Sequence, residues 1–324
     1  MKSKAVIFFL IVFSSLPAQR DYSFGWHTES IKVLDQTRHF KIYIPKGLDK
    51  NAPAVFLFHS ENKSMNNIFG NEGGGFKEWP NLSDREKFIL IIPNGSNPFT
   101  GDFDGNNQLW NDCRKSSAAD GNLSSIDDVS FINKLIDWGT NNLSLNKTRI
   151  YAAGLANGGM MVYKLAIELG DKLAGVAVFL ANMSADSECD KPKTPIPIFI
   201  MNSTDDPMIP FEGGIITGNR GMILSAEETL NIWVKLNYLN TQKRTNKYLT
   251  DLNPDDGSRI IKNEFNRPLG NPPVAFYVVV NGGHTIPSKK YPLPKSLTEN
   301  LLGNQNRDIE GVVEAWKFLR KFSK

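Results

Sequence analysis

The sequence predicts an α/β fold: a mainly parallel central sheet with helices on both faces. Residues 53–59 (Pro-Ala-Val-Phe-Leu-Phe-His), 88–93 (Phe-Ile-Leu-Ile-Ile-Pro), 196–201 and 274–280 are short, unbroken apolar runs. Such runs suit strands covered on both faces. Stretches with apolar residues at helical spacing separate them, so strand and helix alternate along the chain. A third observation is local. Residues 148–163 (Thr-Arg-Ile-Tyr-Ala-Ala-Gly-Leu-Ala-Asn-Gly-Gly-Met-Met-Val-Tyr) run from a β-prone segment through a glycine-flanked turn into helix-compatible sequence.

The elements follow in order. Residues 1–18 carry Lys2 and Lys4, then an apolar stretch from Ala5 to Phe13, then small or turn-prone residues to Ala18. That is the pattern of an export signal cut after Ala18, and its apolar core is too short to span a bilayer of about 30 Å. The mature chain, 19–324, is expected to form one domain, exported to the periplasm or the medium. Residues 39–45 alternate as a half-exposed strand does, and 60–79, rich in Asn and Gly, reads as a long loop. Apolar positions at Ile126, Val129, Ile132, Leu135, Ile136 and Leu143 predict a helix. A further helix runs from Asn157 to Leu169, and a buried strand over 173–180. Ser225, with Glu228 three residues on, opens a helix over 225–236 as a capping box. Residues 244–265 suit exposed or edge strands, 274–280 the last core strand, and 307–322 a closing amphipathic helix.

Composition narrows the function. With 40% hydrophobic and 22% charged residues the chain is globular, and its formal charge of +3 falls to +1 once Lys2 and Lys4 are removed. Nothing in that balance calls for nucleic acid or an anionic membrane. The two cysteines, Cys113 and Cys189, lie in no C-x-x-C pattern and near no His, so no zinc site is expected, and no other metal or organic cofactor is implied. An exported chain allows a mutual disulfide between them; two separate buried thiols is the alternative.

The turn at 154–158 has the spacing of a nucleophile elbow, G-x-S-x-G, between a strand and a helix. Gly154 and Gly158 sit where that turn leaves no room for Cβ atoms, but the central residue is Ala156. An acid and a histidine follow in the order such hydrolases use. Asp206 comes just after the 196–201 strand and His284 just after the 274–280 strand.

Several further segments make the pattern specific: Asp84-Arg85-Glu86-Lys87-Phe88, Trp110-Asn111, Asp127-Asp128-Val129-x-Phe131, Asn157-Gly158-Gly159-Met160, Asp206-Pro207-x-x-Pro210 with Glu212-Gly213-Gly214, and Gly282-Gly283-His284-Thr285-x-Pro287. Together they resemble the secreted polyhydroxybutyrate depolymerase and feruloyl-esterase family of α/β-hydrolases, over most of the mature chain. The resemblance implies that Asp206 rather than Asp205 is the acid, His284 the base and position 156 the seat of the nucleophile. It implies oxyanion donors at the Asn157 N–H and in the loop carrying Ser60, and a substrate site walled by His59, Trp110 and the residue at 286. Its substrates would be acylated polysaccharides, oligosaccharides or short polyesters.

The departures are as specific. The family's His-Gly is His59-Ser60 here, its His-Gly-Thr is Asn202-Ser203-Thr204, and its Trp after His-Thr is Ile286. With Ala156, three readings stay open: a natural pseudoenzyme that keeps the pocket, an active esterase whose serine was replaced deliberately, or an esterase that has recruited Ser60 as nucleophile.

Overall fold

The computed structural model describes residues 22–115, 126–265 and 268–324; the expected export signal lies outside them. Among the described residues, ten strands form one sheet: β1 (Gly25–Val33), β2 (Gln36–Ile44), β3 (Ala54–Phe58), β4 (Ile89–Pro93), β5 (Ile150–Leu155), β6 (Gly175–Phe179), β7 (Ile198–Ser203), β10 (Arg244–Tyr248), β11 (Arg259–Phe265) and β12 (Val274–Val280). Their order is β1-β2-β4-β3-β5-β6-β7-β12-β11-β10. The six strands from β4 to β12 are mutually parallel, and antiparallel pairs flank them on both edges. The short hairpin β8 (Gly214–Ile215) and β9 (Met222–Ile223) stands apart.

The central strands are buried along nearly their whole length because both faces are covered. One face packs α2 (Asp128–Leu143), α3 (Asn157–Glu168) and α4 (Ala226–Leu236), against residues such as Phe56, Val178 and Ile200. The other packs α1 (Glu78–Glu86) and α6 (Gly311–Leu319), with Trp79, Leu82 and Trp316 against Val55, Leu57 and Phe199. Alternate residues of one strand thus enter different cores. This is the α/β-hydrolase fold.

The capping box at α4 is present in both halves: the Ser225 hydroxyl accepts from the Glu228 N–H and the Glu228 carboxylate from the Ser225 N–H. One expectation needs correction, and one strand was not expected. The loop expected over 60–79 turns helical from Asn71, with a 3₁₀ stretch to Lys77 leading into α1. Pro80 falls in the first turn of α1, where a missing N–H costs nothing. The strand β1 went unrecognised. Its exposed positions, Trp26, Thr28, Ser30 and Lys32, alternate with half-buried ones as far as the buried Val33, so it shows no apolar run. No helix among the described residues is long and apolar enough to cross a membrane.

Candidate active site

Strand β5 ends at Leu155 and α3 begins at Asn157, so the whole turn is one residue, Ala156. Its φ of 52° and ψ of −121° are strained for any residue with a side chain. The turn closes because its neighbours lack Cβ atoms. A Cβ on Gly154 would lie 2.2 Å from the Gly158 carbonyl oxygen, and one on Gly158 would lie 2.4 Å from those of Phe58 and His59. The strain presents the Ala156 side chain at the crest of the turn, beside the unpaired N–H groups of the first turn of α3.

The Asn157 side chain anchors that crest. Its Oδ1 accepts from the Trp110 N–H at 2.8 Å, and its Nδ2 donates to the Trp110 carbonyl at 3.2 Å and to Asp112 Oδ2 at 2.8 Å. Asp112 is itself held by Arg114 in an ion pair of 2.8 Å, buried to within 3% on both side chains. Asp128, at the start of α2, accepts from the Asn111 N–H at 2.8 Å and pairs with the buried Arg38 at 2.6 Å. Cys113 is joined to Cys189 by a disulfide, which ties the 110–115 segment to the loop after β6.

On the other side, the loop after β7 brings Asp206 to His284, which follows β12. The His284 Nδ1–H donates to Asp206 Oδ2 at 2.7 Å; the second carboxylate oxygen accepts from the N–H groups of Met208 and Ile209 at 2.8 and 2.9 Å. Asp205 does not take this place; it is exposed and bonds the Thr204 hydroxyl. Gly283 lies so close to Gly303 that a Cβ on it would sit 2.5 Å from the Gly303 Cα, and the His284 N–H donates to the Leu302 carbonyl at 2.5 Å. With Nδ1 committed to Asp206, Nε2 of the neutral ring is the acceptor.

Ala156, Asn157, Ser60 and His284 all line one cavity of about 340 Å³. Met160, Met208, Ile209, Ile216 and Leu302 make its apolar side. Its polar side is built from charge pairs that no local pattern announces. Arg220 meets Glu61 at 2.9 Å, Lys63 meets Glu72, and Arg114 reaches the Arg220 carbonyl. Burial pushes the Glu61 carboxyl up, while Arg220 and Arg114 pull it back. No spacing rule links Glu61 to Arg220; only the folded loops do.

Three residues expected around the substrate stand elsewhere. His59 is fully buried behind the Ser60 loop. Its Nε2 accepts from the Gly95 N–H at 3.0 Å, which leaves Nδ1–H to donate to the Ser60 carbonyl at 2.9 Å. Burial lowers its pKa from 6.5 to about 4, so it is the neutral tautomer those bonds require. Trp110 is also fully buried; its Nε1–H donates to the His59 carbonyl at 3.0 Å and its ring lies 4.8 Å from the imidazole. Ile286 is 3% exposed and belongs to the core under α6. All three support the site from behind and none lines the cavity, because each side chain is spent on packing or on a backbone bond.

A sequence profile of the Phospholipase/Carboxylesterase family matches residues 47–231, more than half of the chain. The chain belongs to this family of α/β-hydrolases. A probable feruloyl esterase C from Aspergillus niger is 26% identical over 193 residues, covering 57% of this chain and 62% of that protein. A bifunctional acetylxylan esterase/xylanase from Neocallimastix patriciarum is 23% identical, over 54% of this chain and 22% of its own length. The chain therefore spans less than two thirds of these curated relatives. An acetyl xylan esterase from Aspergillus awamori superposes with a TM-score of 0.54 at 14% identity, covering 82% of this chain and 96% of that one; at that identity the likeness bears on the fold alone. The lineage is that of esterases.

Proposed function

We propose that residues 19–324 form one exported domain that binds an acylated sugar or short oligoester in the cavity beside Ala156, without efficient turnover. The carrying observation is that the Ala156 methyl stands at the crest of the turn, lining the same cavity as a His284 oriented by Asp206. In a triad esterase the imidazole takes the serine Oγ–H proton as Oγ attacks the acyl carbon. A methyl group offers neither the lone pair nor the proton. Loss of such a serine costs about 10⁶ in kcat, while roughly 10³–10⁴ over water survives from oxyanion stabilisation and binding. The paired charges of the cavity supply fixed donors and acceptors for a polyhydroxylated ligand, and the names of the esterase relatives fit that chemistry.

Calorimetry with acetylated and feruloylated xylo-oligosaccharides, run beside an assay for released acid, tests the proposal. Measurable affinity with no acyl-enzyme burst is expected. A stoichiometric burst would overturn it. A second reading has one observation behind it: Ser60 lines the same cavity. If Ser60 were the nucleophile, peptide mapping would find an acyl adduct there and Ser60→Ala would abolish turnover.

A further inference from the structure

A second, much smaller space opens beside the crest of the turn. It is a crevice of about 20 Å³ that shares Ser60, Lys63, Glu72 and Leu155 with the large cavity and is lined further by Asn67, Ile68, Gly73 and Phe76. Leu155 immediately precedes Ala156, and Ser60 belongs to the loop that faces the crest, so the crevice opens on the Leu155 and Ser60 side of the crest, while Ala156, Asn157 and His284 line the large cavity.

Its apolar walls are fixed, while Lys63, Asn67 and Glu72 form a more exposed polar side. Ile68 is 6% exposed and Phe76 fully buried. The Phe76 ring stands edge-on to Phe179 at 5.8 Å and to Trp79 at 6.4 Å. Gly73 is pressed against the Ile68 carbonyl so closely that a Cβ would lie 2.8 Å from that oxygen. The Ile68 N–H is bonded to the Ser64 carbonyl at 3.0 Å. Close-packed walls of this kind do not yield cheaply to an extra methylene.

Size then decides what fits. Roughly 10–15 Å³ of such volume holds one water-sized group, so the crevice takes a methyl and little more. An acetyl group fits it; a butyryl chain, with two further methylenes, does not, and an aromatic acyl group is far too large. The large cavity offers no compensation for an aromatic ring, since among the described residues no Phe, Tyr or Trp lines it.

We propose that this crevice is the acyl subsite, that Ile68 sets its depth, and that it admits a two-carbon acyl group in preference to any longer or aromatic one. The sugar then occupies the large cavity, against Glu61, Arg220 and Lys63. This rests on the reading that the site holds an acylated ligand. The rival seat for a larger acyl group is the Met160, Met208 and Ile216 side of the large cavity.

The test is a comparison of affinities. Xylotriose carrying acetyl, butyryl, feruloyl or no acyl group is titrated against the native chain and against Ile68→Ala. The native chain should prefer the acetylated probe over the butyrylated one by about tenfold or more, the usual penalty for surplus methylenes in a tight pocket. Ile68→Ala should narrow or reverse that ratio. A ratio between ligands is insensitive to the fraction of protein folded; should Ile68→Ala not fold, Ile68→Val should shift the preference toward propionyl. Butyryl or feruloyl probes bound as tightly as acetyl by the native chain would overturn the acyl subsite and leave the binding function standing. Acylated probes bound no better than plain xylotriose would overturn both.

Discussion

The two halves of the site differ in what holds them. The Asp206–His284 half is a pair of side chains on separate loops, joined by one hydrogen bond of 2.7 Å and kept in place by backbone N–H donors to the carboxylate. The Ala156 half is a feature of the main chain. Its geometry comes from glycines that let β5 and α3 approach and from the Asn157–Asp112–Arg114 chain behind the crest. The hydroxyl of a nucleophile would belong to neither scaffold. An oxygen at position 156 can be absent without disturbing any hydrogen bond of the fold, whereas the turn that would present it is built into the packing of the sheet.

If that is right, restoring the oxygen should restore chemistry. Ala156→Ser is expected to raise hydrolysis of short acyl esters by between ~10³-fold and ~10⁶-fold, the upper figure being the full worth of such a serine. The lower end applies if Ser60, in place of the family's glycine, misplaces an oxyanion donor worth roughly 10²–10³. Covalent labelling by a serine-directed phosphonate should appear with the activity. A folded Ala156→Ser protein that neither hydrolyses nor labels would mean the two halves are no longer in register.

The acid–base half is tested in that background. Adding Asp206→Asn should remove most of the restored activity, up to about 10⁴-fold, because an amide at 206 favours the wrong tautomer of the imidazole and no longer stabilises its cation. Thermal stability should change little by comparison. Unchanged kcat in the double variant would show that the 2.7 Å contact is structural only.

The main-chain half should fail in the opposite way. Gly158→Ala puts a Cβ 2.4 Å from two carbonyl oxygens that cannot move independently of β3. A loss of about 3 kcal/mol or more is expected, or no folded protein at all, against a change within about 1 kcal/mol for Ala156→Ser. Urea denaturation of both variants checks this. A Gly158→Ala protein as stable as the parent would break the comparison.

The contrast also explains how much could be read in advance. Buried parallel strands, the glycine turn, the order of Asp206 and His284, and the Ser225 capping box are legible because each is a local pattern: an apolar run, a spacing, a cap. Side-chain direction is not local. The residues at Trp110 and Ile286 match or replace family positions, but nothing in the letters says that both turn inward to the cores. The Glu61–Arg220 pair, which shapes the cavity, joins loops far apart in the chain. Strand β1 was hidden because an edge strand with a polar outer face has no apolar run to show.

His59 offers the most exact test of the support behind the Ser60 loop. Its pKa is near 4 in the folded protein and about 6.5 when the chain is unfolded, the shift being due to burial. Between those values the unfolded chain binds a proton that the folded chain does not, so stability rises with pH across that window. The contribution is complete above pH 6.5 and is lost as the pH falls toward 4, by roughly 3 kcal/mol over the range. Protonation would also take the Nε2 lone pair that the Gly95 N–H now uses, and the His59–Ser60 contact is continuous with the loop facing Ala156. Urea unfolding at pH 7.5 and pH 4.5 should therefore show a large loss in the parent chain. His59→Asn, though less stable at either pH, should lose about 2–3 kcal/mol less between them. Equal losses in the two proteins would assign the acid sensitivity to other groups, and the neutral His59 would then be a packing residue without a part in how the Ser60 loop responds to pH.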